Sequence, residues 1–152
     1  MSYDSTKDTE NHIKIVARLL FGMAEGLRAR GTMHDKSKLE SPEKEMYDEF
    51  VPLLKQTTYG SKEYEKALKE MGSALKHHYE NNSHHPEHYK RGINGMNLGD
   101  IVEMFCDWLA STLKHDDGDF MESMKINKER FNMSDQLHDI FINTYLDIKR
   151  ER

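Results

Sequence analysis

The chain has 152 residues, enough for one domain with its own core, since a chain of this size buries roughly 70% of the surface it exposes when unfolded. Hydrophobic residues make up 36% and charged residues 32%, and no apolar run approaches the ~18 residues that cross a bilayer, so the composition is that of a water-soluble globular protein and sets a membrane-spanning one aside. The net charge of −5 has the wrong sign for displacing counterions from phosphates, which argues against a duplex nucleic-acid binder.

β-branched residues never alternate with polar ones over a useful stretch, whereas apolar residues recur at steps of three and four. The expected fold is therefore all-α: a single domain over residues 1–152 with about six helices. In the first, Ile13, Val16, Leu19, Leu20, Met23 and Leu27 share a face and Gly31 supplies a stop. A second starts at Ser41-Pro42-Glu43-Lys44, with Ser41 as N-cap, Pro42 at the first helical position, and Met46, Phe50, Leu53 and Leu54 on one face. Pro52 should kink or shorten it.

A third helix starts near Ser61, places Tyr64, Leu68, Met71, Leu75 and His78 on its buried stripe, and breaks at Asn81-Asn82-Ser83. The fourth runs from about Leu98 to Leu113 with Ile101, Met104, Phe105, Trp108 and Leu109 inward. A fifth spans roughly Phe120 to Phe131. The last begins at Ser134 and buries Leu137, Ile140, Phe141, Tyr145 and Ile148.

The compositional oddity is histidine: nine in all, five of them between His77 and His88. His34-Asp35 offers an imidazole nitrogen and a carboxylate oxygen to one cation, a mixed set that suits Mn, Fe, Co, Ni or Zn. His12 lies 22 residues upstream on the first helix, either facing a bundle or on a polar surface turn. Asp107 sits mid-helix among apolar neighbours, where a carboxylate needs a partner: a metal, or a Lys or Arg of a neighbouring helix. Asp100, Glu103 and Asp107 share a helical face, which offers one of them as an acid that holds a ligand imidazole in place.

In the His77–His88 run, His78 continues the buried stripe of the third helix, while His77 falls beside Ser73 and Ala74 nearer its boundary. His84-His85 follows the helix break and precedes Pro86, so its backbone is held in a defined turn. One imidazole from a helix and another from a fixed turn could together hold a metal; the competing reading is a His-rich tract with adventitious affinity.

The order His12 … His34-Asp35 … Asp107 resembles the H…HD…D signature of the HD-domain metal-dependent phosphohydrolase superfamily, an all-α fold. Cys106-Asp107-Trp108-Leu109-Ala110-Ser111 and His34-Asp35-Lys36-Ser37-Lys38 are similar to that family's final-ligand and HD-x-(G/S)-K contexts. The Gly-Tyr-Pro triplet of the members that cleave cyclic di-GMP is absent, which argues against that substrate. More narrowly, HD-x-SK, Ala-Leu-x-His-His, Asn-x-His-His-Pro-Glu-His and Glu-Met-x-x-Asp-Trp resemble a small uncharacterised family of phage and bacterial proteins, over roughly residues 12 to 112.

The resemblance implies a single HD-like domain with one or two divalent metal ions per chain. His12, His34, Asp35 and Asp107 would form the primary site, and His78 and His84 a second, with His77 and His85 as competing choices. It also implies hydrolysis of a nucleotide or related small phosphate ester, in which a metal-acidified water attacks phosphorus. Lys38, four residues after His34, would contact a phosphate oxygen, and a protonated His85 or His88 would serve the leaving group as general acid.

Two other readings use the same residues. An HD-fold di-iron oxygenase differs only in a redox-active metal, and a non-enzymatic phage module would bind a nucleotide or a host protein, using Asp116-Asp117-Gly118-Asp119 and the last helix. Ten methionines on amphipathic helices leave room for a homodimer. Lone Cys106 forms no internal disulfide and the first residues do not read as a secretory leader, so the expected location is the cytoplasm, that of the host if the chain is phage-encoded.

Overall fold

A computed structural model describes residues 3–54, 56–58, 61–114 and 118–150, without the side chain of Leu68; Asp116 and Asp117 lie outside the described residues. Among the described residues the fold is all-α, with six α-helices and three short 3-10 helices. None of these helices is long and apolar enough to cross a membrane. The chain divides into two compact units, residues 1–34 and 35–152.

The first unit is essentially one helix, α1 (Thr6–Met33). Asp8 in its first turn and Arg30 in its last complement the helix dipole. Gly31 does not stop the helix, which continues to Met33: a glycine weakens a helix by about 1 kcal/mol but ends it only where the backbone turns left-handed. No residue of α1 is buried. The stripe expected to face a core is exposed at Ile13, Leu19 and Leu20 and half-buried at Leu27.

The second unit contains two small hydrophobic clusters. In the first, α2 (Glu43–Leu54) packs on α3 (Lys62–Asn81) through Phe50, Ala67 and Met71, with Met46, Tyr47, Leu54 and Leu75 against them. α2 begins at Glu43, just after Pro42, and runs to Leu54 with Pro52 inside its last turn. α3 starts beside Ser61 as expected, and Ser61 caps it, its hydroxyl accepting from Tyr64 N at 3.1 Å. Gly72 takes a left-handed φ of 38° inside α3, a kink that a side chain would resist.

The second cluster joins α4 (Leu98–Leu113), α5 (Phe120–Arg130) and α6 (Asp135–Arg150). Met104, Phe105, Phe120, Met124, Met133 and Phe141 are its buried members. Phe105 meets Phe120 edge-on at 5.6 Å, a geometry that aromatic quadrupoles favour, and Phe141 at a tilt at 5.2 Å. Leu137, Tyr145 and Ile148 pack against this cluster as expected, but Ile140 is 51% exposed, because the buried stripe of α6 is centred on Phe141.

Residues 82–97 link the two clusters, and their shape is fixed by Asp100, which is fully buried. Asp100 forms a capping box with Asn97 at the start of α4 and also accepts from Ser83 Oγ and Tyr89 OH, each at 2.7 Å. Gly95 lies so close to Tyr89 that an added Cβ would come within 2.8 Å of it. The backbone between α3 and α4 is therefore tied down on both sides of His84 and His85.

Candidate metal centre

Three segments of the second unit supply the cluster. Asp35 precedes the 3-10 helix Lys36–Leu39 and holds a left-handed backbone (φ 55°, ψ 18°). That conformation costs a residue with a Cβ roughly 1–2 kcal/mol, and Asp is one of the few types that adopt it. It packs this short helix against α2 and α3, facing the last turn of α3, which carries His78. The third segment is the turn at His84-His85, rigid because Pro86 opens the next 3-10 helix, Pro86–His88.

One ligand atom from each of Asp35, His78, His84 and His85 lies within 4.8 Å of the others. Asp35 Oδ1 is 3.4 Å from both His78 Nε2 and His84 Nε2. His85 Nε2 lies 2.9 Å from His78 Nε2. His78 and His84 are almost wholly buried, at 1% and 2% exposure.

The electrostatics keep the His78 and His85 rings neutral. Burial, reinforced by the nearby Lys38 cation, lowers the pKa of His78. Burial and the neighbouring His84 and His78 push His85 down to about 3. At neutral pH His85 is thus an uncharged ring with a ligand's lone pair and not the protonated acid expected from its intrinsic pKa. His88 is exposed, and its Nδ1–H donates to the Tyr79 carbonyl at 2.8 Å, away from the cluster.

Carboxylates stand behind the rings. Glu103 Oε1 is 3.2 Å from His84 Nδ1, so of the three acids on one face of α4 it is Glu103 that holds an imidazole. Asp100 serves the loop instead, and Asp107, half-buried, brings an oxygen within 4.8 Å of a His84 ring nitrogen. Glu43 Oε1 and Oε2 lie 2.7 and 2.9 Å from Nδ1 of His77 and of His78. Nothing in the sequence singles out Glu43, because an acid in the first turn of a helix is usually a solvated dipole partner.

Lys38 reaches back to Asp35, its Nζ 2.6 Å from Oδ2, and lies 4.9 Å from the centroid of the Tyr47 ring. A third of its side chain remains exposed, so the cation sits between the cluster and solvent. Three imidazoles and a carboxylate converging within 4.8 Å, with His78 and His84 buried, are the donor chemistry of a borderline divalent metal, and the residues fit such an ion.

The remaining expected ligands belong to the first unit. His34 follows the last residue of α1 and closes it. His12 is exposed on the same uninterrupted helix. The 22 residues between them correspond to about 33 Å of axial rise, so His12 and His34 of one chain do not share an ion.

The model of a family described as a family of unknown function (DUF5662) matches residues 1–147, which takes in α5 and α6 beyond the region of resemblance noted from sequence. No curated protein and no solved structure matches the chain.

Proposed function

The chain belongs to the family of unknown function DUF5662, and from that premise we propose that it is a metal-dependent phosphohydrolase acting on a nucleotide or related small phosphate ester. The observation that carries this reading is the convergence of Asp35, His78, His84 and His85, each with a ligand atom within 4.8 Å of the others. Asp107, beside His84, extends the donor set. A divalent ion held there supplies Lewis-acid stabilisation of charge on a phosphoryl group and acidifies a water.

The chain's own residues supply the rest. Lys38 offers a cation next to Asp35, where it meets a non-bridging phosphate oxygen as a point charge. The burial that keeps His78 and His85 uncharged also strengthens each of these electrostatic contacts. A net charge of −5 suits a small anion captured by a local cationic centre better than a polyanion held by a basic face.

The test is elemental analysis of stripped and reloaded protein, paired with phosphate release across a panel of nucleotides and simple phosphate esters. One or two divalent ions per chain, with turnover lost in Asp35→Asn, is the expected result. Metal without phosphate release turns the reading toward an oxygenase if the ion is redox-active iron, or toward a nucleotide-binding protein. Absence of metal overturns it.

A further inference from the structure

Glu43 opens α2, where an acid usually stands in solvent, yet it is fully buried. Burying a carboxylate is costly unless its lone pairs are taken, and here three groups take them. His77 Nδ1 is 2.7 Å from Oε1; His78 Nδ1 and Ser37 Oγ are 2.9 and 3.0 Å from Oε2. Asn82 completes the shell: its amide donates to Ser37 Oγ and to the His78 carbonyl, each at 2.8 Å.

This arrangement fixes which nitrogen of His78 carries the proton. The two amide hydrogens of Asn82 are engaged by those oxygens, so its nitrogen, 3.1 Å from His78 Nδ1, has none left for the ring. The carboxylate oxygen at 2.9 Å can only accept, so Nδ1 donates and the lone pair is left on Nε2. Nε2 is the atom that faces Asp35 Oδ1 and His85. His77, 39% exposed, binds the other oxygen of the same carboxylate from the solvent side and stops it from rotating.

We infer that Glu43 is the positioning residue for His78, braced by His77, and that this pair holds the ring as its Nδ1–H tautomer with Nε2 presented to the metal. The inference rests on the reading of the cluster as a metal centre, and it assigns His77 a role other than ligand. Carboxylates that hold ligand imidazoles in this way are commonly worth about 10–100-fold in metal affinity.

The experiment uses the full chain labelled with 15N-histidine. Long-range 1H–15N correlations on chelator-treated protein read the tautomer of each ring, and competition against a chromophoric chelator reads affinity for Zn(II) and Co(II). Wild type is expected to show His78 protonated on Nδ1. Glu43→Ala should release that preference and weaken metal binding about 10–100-fold. Glu43→Gln, whose carbonyl still accepts from His78 while its amide donates to His77, should keep the tautomer and recover most of the affinity. His77→Ala, a surface-side change that spares the core, should weaken binding less than Glu43→Ala and provides the reading should Glu43→Ala fail to fold.

A proton on His78 Nε2 in wild type overturns the inference. So does a Glu43→Ala protein that loses thermal stability but keeps wild-type tautomer and affinity. A wild-type protein that binds neither ion, with the tautomer still set by Glu43, overturns the metal reading and leaves the hold of Glu43 on His78 standing.

Discussion

His84 and Glu103 face each other across the junction of the 82–97 loop and α4, with His84 Nδ1 3.2 Å from Glu103 Oε1. The contact joins a ring in a turn to an acid in a helix and leaves His84 Nε2 directed at Asp35. Glu103→Ala is therefore expected to weaken metal binding about 10–100-fold while leaving the helical signal intact, as measured by chelator competition and far-UV circular dichroism. Unchanged affinity would remove His84 from the ligand set.

The two adjacent histidines of α3 should separate cleanly. His78→Ala removes a buried donor and is expected to lower metal occupancy strongly, whereas His77→Ala should do so much less, by elemental analysis after dialysis. Equal losses would contradict the division between a buried ring and one on the solvent side of Glu43.

Lys38→Ala should retain metal, since Lys38 is a cation and no ligand, but lower kcat/KM for phosphate esters by about tenfold or more through loss of a charge-assisted contact. Steady-state kinetics beside metal analysis separate the two effects. Full activity would return Lys38 to the role of neutralising Asp35 alone.

The depressed histidine pKa values give a pH dependence of definite sign. Below the ordinary value of 6.5 the unfolded chain takes up protons that His85 refuses until about pH 3, and His78 is shifted in the same direction. The unfolded state binds more protons throughout that window, so stability is fully present above pH 6.5 and is lost as pH falls toward 3. Thermal melts of chelator-treated protein should show this slope already between pH 6.5 and 5, and His85→Gln should flatten it.

Periodicity alone gave α4 to the residue and α3, α5 and α6 to within a residue or two, because their apolar stripes are continuous and their caps (Ser61, Asn97, Asp119) are of standard types. It misjudged α1, where the same spacing exists without burial, since a pattern records that a face is apolar and not what covers it. His78 was legible as a ligand candidate because it continues the stripe of Met71 and Leu75 at the end of α3. Glu43 was not: its role arises from contacts with residues 34 and 35 positions later in the chain, and no local signal in Ser41-Pro42-Glu43 anticipates them.

Asp35, His78 and Glu43 belong to the α2–α3 side of the second unit, whereas His84 is tethered through Ser83 and Glu103 to the α4–α6 side. An ion shared between Asp35 and His84 would act as a rivet between two cores that are each too small to be strongly cooperative alone. Unfolding would then pass from two loosely joined foldons to one all-or-none event, with the ligand's binding energy appearing as cooperativity as well as stability. Chelation would reverse this, dividing a single denaturant transition into two.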